Sequence, residues 1–192
     1  MDTSVRPWRL FIALPMPTPS ADMLEASLRP YAEAFPGARW QRPDSFHVPL
    51  QFLGSTAPAR IDGLVEGMRA CALGRSAFLM ATGRGDGVVR ASGGVCWLRV
   101  DGGRERAADL SACLRSTPAP GMATPPTPQP HVTVARRAGA LLIEALAGAT
   151  LGEPSVEWLA DRMVLYRSHT GTPAGSSYEA LASVPLGYPL AA

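Results

Sequence analysis

Two histidines stand at matching positions of two similar short segments, HVPL at His47 and HVTV at His131. A single histidine on a half-buried strand is more often structural than catalytic, so the pairing carries the interpretation. Two imidazoles beside one reacting atom supply a neutral ring and a protonated ring near pH 7. The pair therefore predicts a general base and a general acid on opposite sides of a single centre, such as phosphorus.

Both segments are predicted to be short strands, whose side chains alternate between two faces. His47 then shares a face with Pro49 and Gln51, and His131 shares a face with Thr133. Because each segment follows a proline-containing turn and precedes a helix, the pattern hints at two similar halves. Such halves would set the two strands opposite each other across a cleft.

The order of the remaining elements indicates an α+β fold rather than a regular alternation of strand and helix. Strands are predicted at 10–14, 47–53, 78–81, 88–90, 95–100, 131–135, 158–167 and 178–184, and helices at 21–34, after Thr56, from about 105, and at 141–146. A proline-rich stretch, 118–130, is predicted to be an irregular loop. Such long loops are usually functional or mobile.

Composition restricts the class of protein. The 192 residues are 46% apolar and 18% charged, which predicts one compact domain, 1–192. All 18 basic residues are arginine, yet the net charge is only +2 and the arginines are scattered. We therefore expect a ligand with few phosphates rather than a long nucleic-acid duplex.

The cysteines and the apolar runs bear on the compartment. Cys71, Cys96 and Cys113 form no C-x-x-C pair and are predicted to be reduced core residues, which favours a cytoplasmic protein. No segment approaches the ~20 apolar residues of a membrane span. We expect a monomer without a protein partner.

Six motifs cover nearly the whole chain and carry a resemblance. In order, they are RLFIAL at Arg9, W-x-x-P-x-x-x-H-V-P-L-x-F-L-G from Trp40, CWLRV at Cys96, PHVTVAR from Pro130, LYRS at Leu165 and YEAL at Tyr178. With these flanks and this spacing, the chain resembles the 2H phosphoesterase superfamily. Within it, the chain is most similar to the bacterial RNA 2′,3′-cyclic phosphodiesterases, historically called 2′-5′ RNA ligases.

The resemblance implies a bilobed, pseudo-twofold α+β domain in which two antiparallel sheets form a V-shaped groove and the helices pack outside. It implies hydrolysis of 2′,3′-cyclic phosphate ends of RNA or nucleotides to 2′-phosphomonoesters, without metal or cofactor. By this resemblance one histidine is the general base and the other the general acid. The sequence does not order them; we assign His131 as the base and His47 as the acid. The reverse reaction, which forms a 2′-5′ bond without ATP, uses the same groups.

The resemblance also assigns phosphate binding to Thr133 and Arg136. An arginine fork donates bidentately to phosphate. Strict alternation places Arg136 opposite His131, so its role requires a bulge or the end of the strand after Ala135. Pro49 stands where the family usually has Thr or Ser, and proline offers neither a hydroxyl nor an N–H.

Three aromatic residues have two interpretations. Phe52 faces the core by alternation, and Phe11 and Trp40 are also more typical of core than of rim. Each is at the same time a candidate to contact a base at the rim of the groove.

Two alternatives to a phosphodiesterase remain. Pro49 makes a catalytically impaired protein that binds RNA ends or nucleotides the runner-up. A histidine metal site ranks last, because the three histidines, with His169 as the third, lack ligand spacing.

Overall fold

The structure is a computed structural model that describes residues 6–88, 94–116, 129–148, 156–172 and 175–187. Nine strands are described: β1 (Trp8–Pro15), β2 (Arg39–Trp40), β3 (His47–Thr56), β4 (Phe78–Val88), β5 (Gly94–Gly102), β6 (His131–Ala138), β7 (Glu157–Ala160), β8 (Arg162–Thr172) and β9 (Gly175–Pro185). The helices in the same residues are α1 (Thr18–Ala34), α2 (Ile61–Ala72), α3 (Arg104–Ser116) and α4 (Ala140–Gly148).

The strands form two antiparallel sheets. The first has the order β3-β1-β8-β9 and the second the order β2-β6-β5-β4-β7. β3 and β6 belong to different sheets, yet their Cα atoms approach within 8 Å of each other. The predicted α+β fold with two antiparallel sheets is confirmed, and the junction of β3 and β6 brings the two histidine segments together.

Helices pack against both sheets. α3 packs on β3, α2 on β9 and α4 on β4, while the Ser20 hydroxyl of α1 donates to the Glu157 carbonyl of β7. Buried apolar side chains of both sheets, such as Ile12 and Leu98, belong to one continuous cluster. Full burial of a side chain of this size stabilises the fold by about 1.5–3 kcal/mol, so both sheets are anchored by the same core.

The prediction of one continuous strand over 158–167 is wrong, because this segment forms two strands. The chain passes Asp161 between β7 and β8, and these two strands belong to different sheets. β7 pairs with β4, whereas β8 pairs with β1 and β9. The polar pair Asp161 and Arg162 interrupts the apolar pattern here, but it does not by itself reveal a change of sheet, because both strands bury one face in the same core.

Two other boundaries also differ. The separate strands predicted at 78–81 and 88–90 are one strand as far as Val88, because its glycines continue to pair with β5; residues 89 and 90 lie outside the described residues. Thr56 ends β3 instead of capping a helix, and its hydroxyl donates to the Leu53 carbonyl. Of the predicted loop 118–130, only Gln129 and Pro130 are described.

The cysteines correct a prediction. Cys71 of α2 and Cys113 of α3 form a disulfide with a Cα–Cα distance of 5.8 Å, so they are not reduced thiols. α2 and α3 pack against each other, which brings the two Cα atoms into the range of a disulfide. Spacing along the chain does not show this contact. Cys96 is buried in β5. In the described residues, no helix is long and apolar enough to cross a membrane.

Candidate active site

A cleft of about 250 Å³ lies where the two sheets meet. It is lined by residues of β1, β3, β6, β8 and β9: Arg9, Leu10, Phe11, His47, Pro49, Phe52, Gly54, Thr133, Arg136, Ser168 and Tyr178. His131 lies close enough for its charge to lower the pKa of His47. The structure therefore brings together both predicted catalytic residues and both predicted phosphate-binding residues.

The two histidines are held in the same way. His47 Nδ1 lies 2.7 Å from the Ser45 carbonyl oxygen, and His131 Nδ1 lies 2.8 Å from the Gln129 carbonyl oxygen. A carbonyl only accepts, so Nδ1 donates in both rings. In the neutral form each Nε2 is then left as the nitrogen that can accept a proton. Both rings are thus prepared for proton transfer through Nε2.

Burial is the main cause of a lowered pKa at both histidines. It lowers the pKa of His47 from 6.5 to about 4, against the opposing effect of the Ser45 hydrogen bond, and the charges of His131 and Arg136 act in the same direction as burial. The pKa of His131 is lowered by burial and by Arg136. Both rings are therefore neutral at pH 7 in the free protein.

These shifts predict how stability depends on pH. The unfolded chain binds a proton at His47 below pH 6.5, whereas the folded chain does so only near pH 4. We expect the contribution of this ring to be complete above pH 6.5 and to fall by about 3 kcal/mol as the pH drops to about 4. Urea unfolding at both pH values should show a smaller loss for His47→Asn than for the wild type. Equal losses would contradict the prediction.

A bulge in β6 places Arg136 in the cleft. Consecutive residues of β5 pair with Ala135 and Thr133, so Val134 is an extra residue in β6. The extra residue reverses the alternation, and both Thr133 and Arg136 line the cleft. The bulge that the sequence requires for this placement is present.

Arg136 has a buried donor that the fold leaves unused. Its Nε is buried without a hydrogen-bond partner among the described residues. An unsatisfied buried donor costs about 1–3 kcal/mol and calls for an explanation. Arg136 is also one of the residues that line the cleft.

The first histidine strand is also bulged, which corrects the alternation predicted for it. Ile12 and Ala13 of β1 pair with Gln51 and Pro49, so Leu50 is an extra residue in β3. Gln51 is therefore buried rather than on the cleft face. Phe52 is 47% exposed and lines the cleft, so its predicted core position is wrong.

Aromatic rings surround His47. The Phe11 centroid lies 5.0 Å from that of His47 and 5.2 Å from that of Tyr166. Tyr178 meets the imidazole edge to face at 5.1 Å. These rings exclude water from the histidine, which explains its low pKa. The sequence analysis assigned no role to either tyrosine, although both lie in the LYRS and YEAL motifs.

The second histidine has a ring neighbour of its own. Trp97 of the CWLRV motif lies 5.1 Å from His131. Trp40, a candidate rim residue, packs instead against the core, and its indole N–H donates to the Phe35 carbonyl. It does not line the cleft, so the rim role is corrected for this residue. Its position beside Ala135 of β6 accounts for the burial.

Both sheets contribute polar residues to the cleft. Thr133 and Arg136 come from β6, whereas Pro49, at the position of β3 that matches Thr133, adds no donor. Arg9 and Ser168 are further polar residues of the lining that the sequence analysis did not single out. The feature of the sequence that could have identified them is their position in the RLFIAL and LYRS motifs.

The described residues contain no group of three or more His, Cys, Asp or Glu side chains that could hold a metal ion. The third histidine, His169, makes a contact of 2.8 Å with Glu179 instead.

Comparisons with known proteins agree with this geometry. The profile of the 2′-5′ RNA ligase superfamily matches residues 17–172. The RNA 2′,3′-cyclic phosphodiesterase of Geobacillus stearothermophilus is 28% identical in an alignment 186 residues long that covers 92% of this chain and 56% of that protein. The chain thus spans little more than half the length of this curated relative.

Solved structures show the same fold at low identity. LigT of E. coli in apo form is 22% identical with a TM-score of 0.69, over 95% of this chain and 99% of that chain. Its complex with 3′-AMP gives 22% and 0.68 over the same shares. Usb1 of Kluyveromyces marxianus with uridine monophosphate is 11% identical with a TM-score of 0.60, over 93% and 97%. By its fold and by the length of the profile match, the chain belongs to the 2′-5′ RNA ligase superfamily.

Proposed function

We propose that this protein hydrolyses 2′,3′-cyclic phosphate ends of RNA or nucleotides to 2′-phosphomonoesters without a metal ion. The observation that carries the proposal is the cleft itself, which is lined by the Nδ1-anchored His47 together with Thr133 and Arg136. The second Nδ1-anchored histidine, His131, is close enough to act on the pKa of His47. The name of the Geobacillus relative supports the same substrate class.

In the proposed reaction, His131 accepts a proton from water through Nε2, and the water oxygen forms a bond to the cyclic phosphorus. The bond between phosphorus and the ribose 3′ oxygen breaks. His47 gives its proton to that oxygen, so the phosphate stays on the 2′ oxygen. Each imidazole ends in the opposite protonation state, and proton exchange with solvent restores both.

His47 must be protonated when the substrate is bound, although its pKa in the free protein is only about 4. The bound substrate itself raises the pKa of His47. Its anionic phosphate offsets the positive charge of Arg136 and places a negative charge beside the imidazole, and both effects raise the pKa. Proton uptake therefore accompanies substrate binding, and the free rings stay neutral until a phosphate arrives.

Thr133 and Arg136 hold the non-bridging phosphate oxygens in this proposal. Both donors aim at oxygens whose charge increases in the transition state, where preorganised donors contribute most. Phe11 and Phe52 lie on the same side of the cleft with ring centroids 6.2 Å apart. The exposed face of Phe52 is the proposed stacking surface for the terminal base.

The test is turnover of a 2′,3′-cyclic mononucleotide by protein treated with a chelator. We expect hydrolysis to continue and the product to be the 2′-monophosphate, identified by phosphorus NMR. A 3′-monophosphate product would contradict the proposed leaving group, and activity that returns only with added metal would contradict the two-histidine mechanism. The same assay run in reverse tests whether 2′-5′ ligation occurs without ATP.

Pro49 favours one second candidate, a protein that binds RNA ends without turning them over. Its buried side chain occupies the cleft position where a hydroxyl would be expected. Calorimetric binding of a 2′-mononucleotide together with no detectable turnover would support this candidate over the phosphodiesterase.

A further inference from the structure

A second groove, of about 260 Å³, lies directly beside the cleft. Its lining includes Pro49, Gln129 and Pro130 together with Arg104, Ser111 and Arg115 of α3. Pro49 lines both the groove and the cleft. The two depressions therefore share a wall.

The groove also borders both histidine segments. Pro49 lies two residues after His47, and the carbonyl of Gln129 holds Nδ1 of His131. A ligand that extends out of the cleft on this side passes both histidine segments before it reaches α3. A substrate longer than one nucleotide would have room to continue there.

The charge of the groove is positive. Its charged lining residues among those described are Arg104 and Arg115, and no carboxylate is part of that lining. Arg104 pairs with Asp101 at 2.8 Å, outside the groove. Arg115 donates to the Ser111 hydroxyl at 2.6 Å, which leaves its charge without a counterion among the described residues.

Arg115 is held in place relative to β3. Ser111 accepts from Arg115 and donates at 2.6 Å to the carbonyl of Leu50, the extra residue of the β3 bulge. The same bulge brings Phe52 into the cleft. One hydrogen-bond chain therefore ties the charge in the groove to the strand that carries His47.

We propose that this groove binds the phosphodiester on the 5′ side of the terminal nucleotide of an RNA strand, with Arg115 as the contact to that phosphate. The inference rests on the proposed function, because the cyclic phosphate has to occupy the cleft. Phe11 and Phe52 in the cleft suit the base, and Arg115 in the groove suits the phosphate of the backbone that continues from it. The preferred substrate is then a strand rather than a cyclic mononucleotide.

The test compares Arg115→Gln with the wild type on two substrates, a cyclic mononucleotide and a short oligoribonucleotide that ends in a 2′,3′-cyclic phosphate. We expect kcat/KM for the oligoribonucleotide to fall roughly tenfold, as for loss of one charged hydrogen bond, and kcat/KM for the mononucleotide to stay unchanged. The salt dependence of oligoribonucleotide binding should weaken by about 0.7 in log–log slope. Arg115→Lys should retain most of the wild-type slope.

Arg106→Gln is the matched control. It changes an arginine on the same helix that lies over the Phe78 ring and does not line the groove. We expect no change on either substrate. Equal losses on both substrates for Arg115→Gln, or no loss on the oligoribonucleotide, would overturn the inference.

The inference and the proposed function can fail separately. Fluorescence anisotropy of a labelled oligoribonucleotide with a 2′-phosphate end measures binding without any reaction. If the wild type hydrolyses neither substrate but Arg115→Gln still binds this oligoribonucleotide more weakly, the groove is upheld and the proposed activity is not. Equal binding by the wild type and Arg115→Gln would refute the proposed role of the groove even if hydrolysis is observed.

Discussion

His47→Asn and His131→Asn should each lower kcat for a 2′,3′-cyclic nucleotide by about 10²–10⁴-fold, the usual contribution of a general acid or base. Asn retains a donor for the Ser45 or Gln129 carbonyl that now accepts from Nδ1. It removes Nε2, so the substitution deletes proton transfer and keeps the anchor. The measurement is steady-state turnover with chelator present.

The double variant sharpens this test. Because the base and the acid act in one transition state, we expect the doubly substituted protein to be little slower than either single variant. His169→Asn, outside the cleft, is the control and should turn over at the wild-type rate. Retained activity in both single variants, with unchanged thermal unfolding, would refute the assignment of the two imidazoles.

Pro49→Thr should raise kcat, by about 10²-fold if the new hydroxyl acts as one preorganised donor to the phosphate. Pro49 and Thr133 both line the cleft, so a hydroxyl at position 49 would add a donor within the strand that carries His47. Turnover of the cyclic mononucleotide by wild type and variant measures the gain.

Pro49→Val is the matched control for this gain. Valine has the shape of threonine and restores the backbone N–H, but it carries no hydroxyl. A higher kcat for Pro49→Thr but not for Pro49→Val would show that the hydroxyl causes the gain. If both variants have the kcat of the wild type, the missing donor is supplied elsewhere, for example by Ser168. If the wild type does not hydrolyse the cyclic mononucleotide and only Pro49→Thr does, the natural protein is better explained as one that binds RNA ends without hydrolysing them.

The two histidine strands illustrate how much local pattern predicts. The matching HVPL and HVTV segments predict strands, and the resemblance implies the α+β fold with two antiparallel sheets; the structure agrees with both. The pattern also required a bulge for Arg136, and the bulge lies at Val134. A sequence pattern does not locate bulges by itself, however, because an extra residue is recognised only from the pairing with the neighbouring strand.

The errors have the same origin. Phe52 was predicted to face the core because alternation was counted without the extra residue Leu50. Cys71 and Cys113 were predicted to be reduced because nothing between them in the chain indicates a contact between α2 and α3. Each miss concerns a relation between elements that are far apart in sequence.

The histidine pair, read together with the family resemblance, therefore determined what chemistry is available: two imidazoles, one hydroxyl, one guanidinium, and a proline where the family usually has a second hydroxyl. Tertiary structure decided which of these groups meet. The pairing of strands placed Arg136 and Phe52 in the cleft, and the packing of aromatic rings around His47 lowered its pKa. The physical reason is that desolvation and strand register depend on neighbours that only the folded chain supplies.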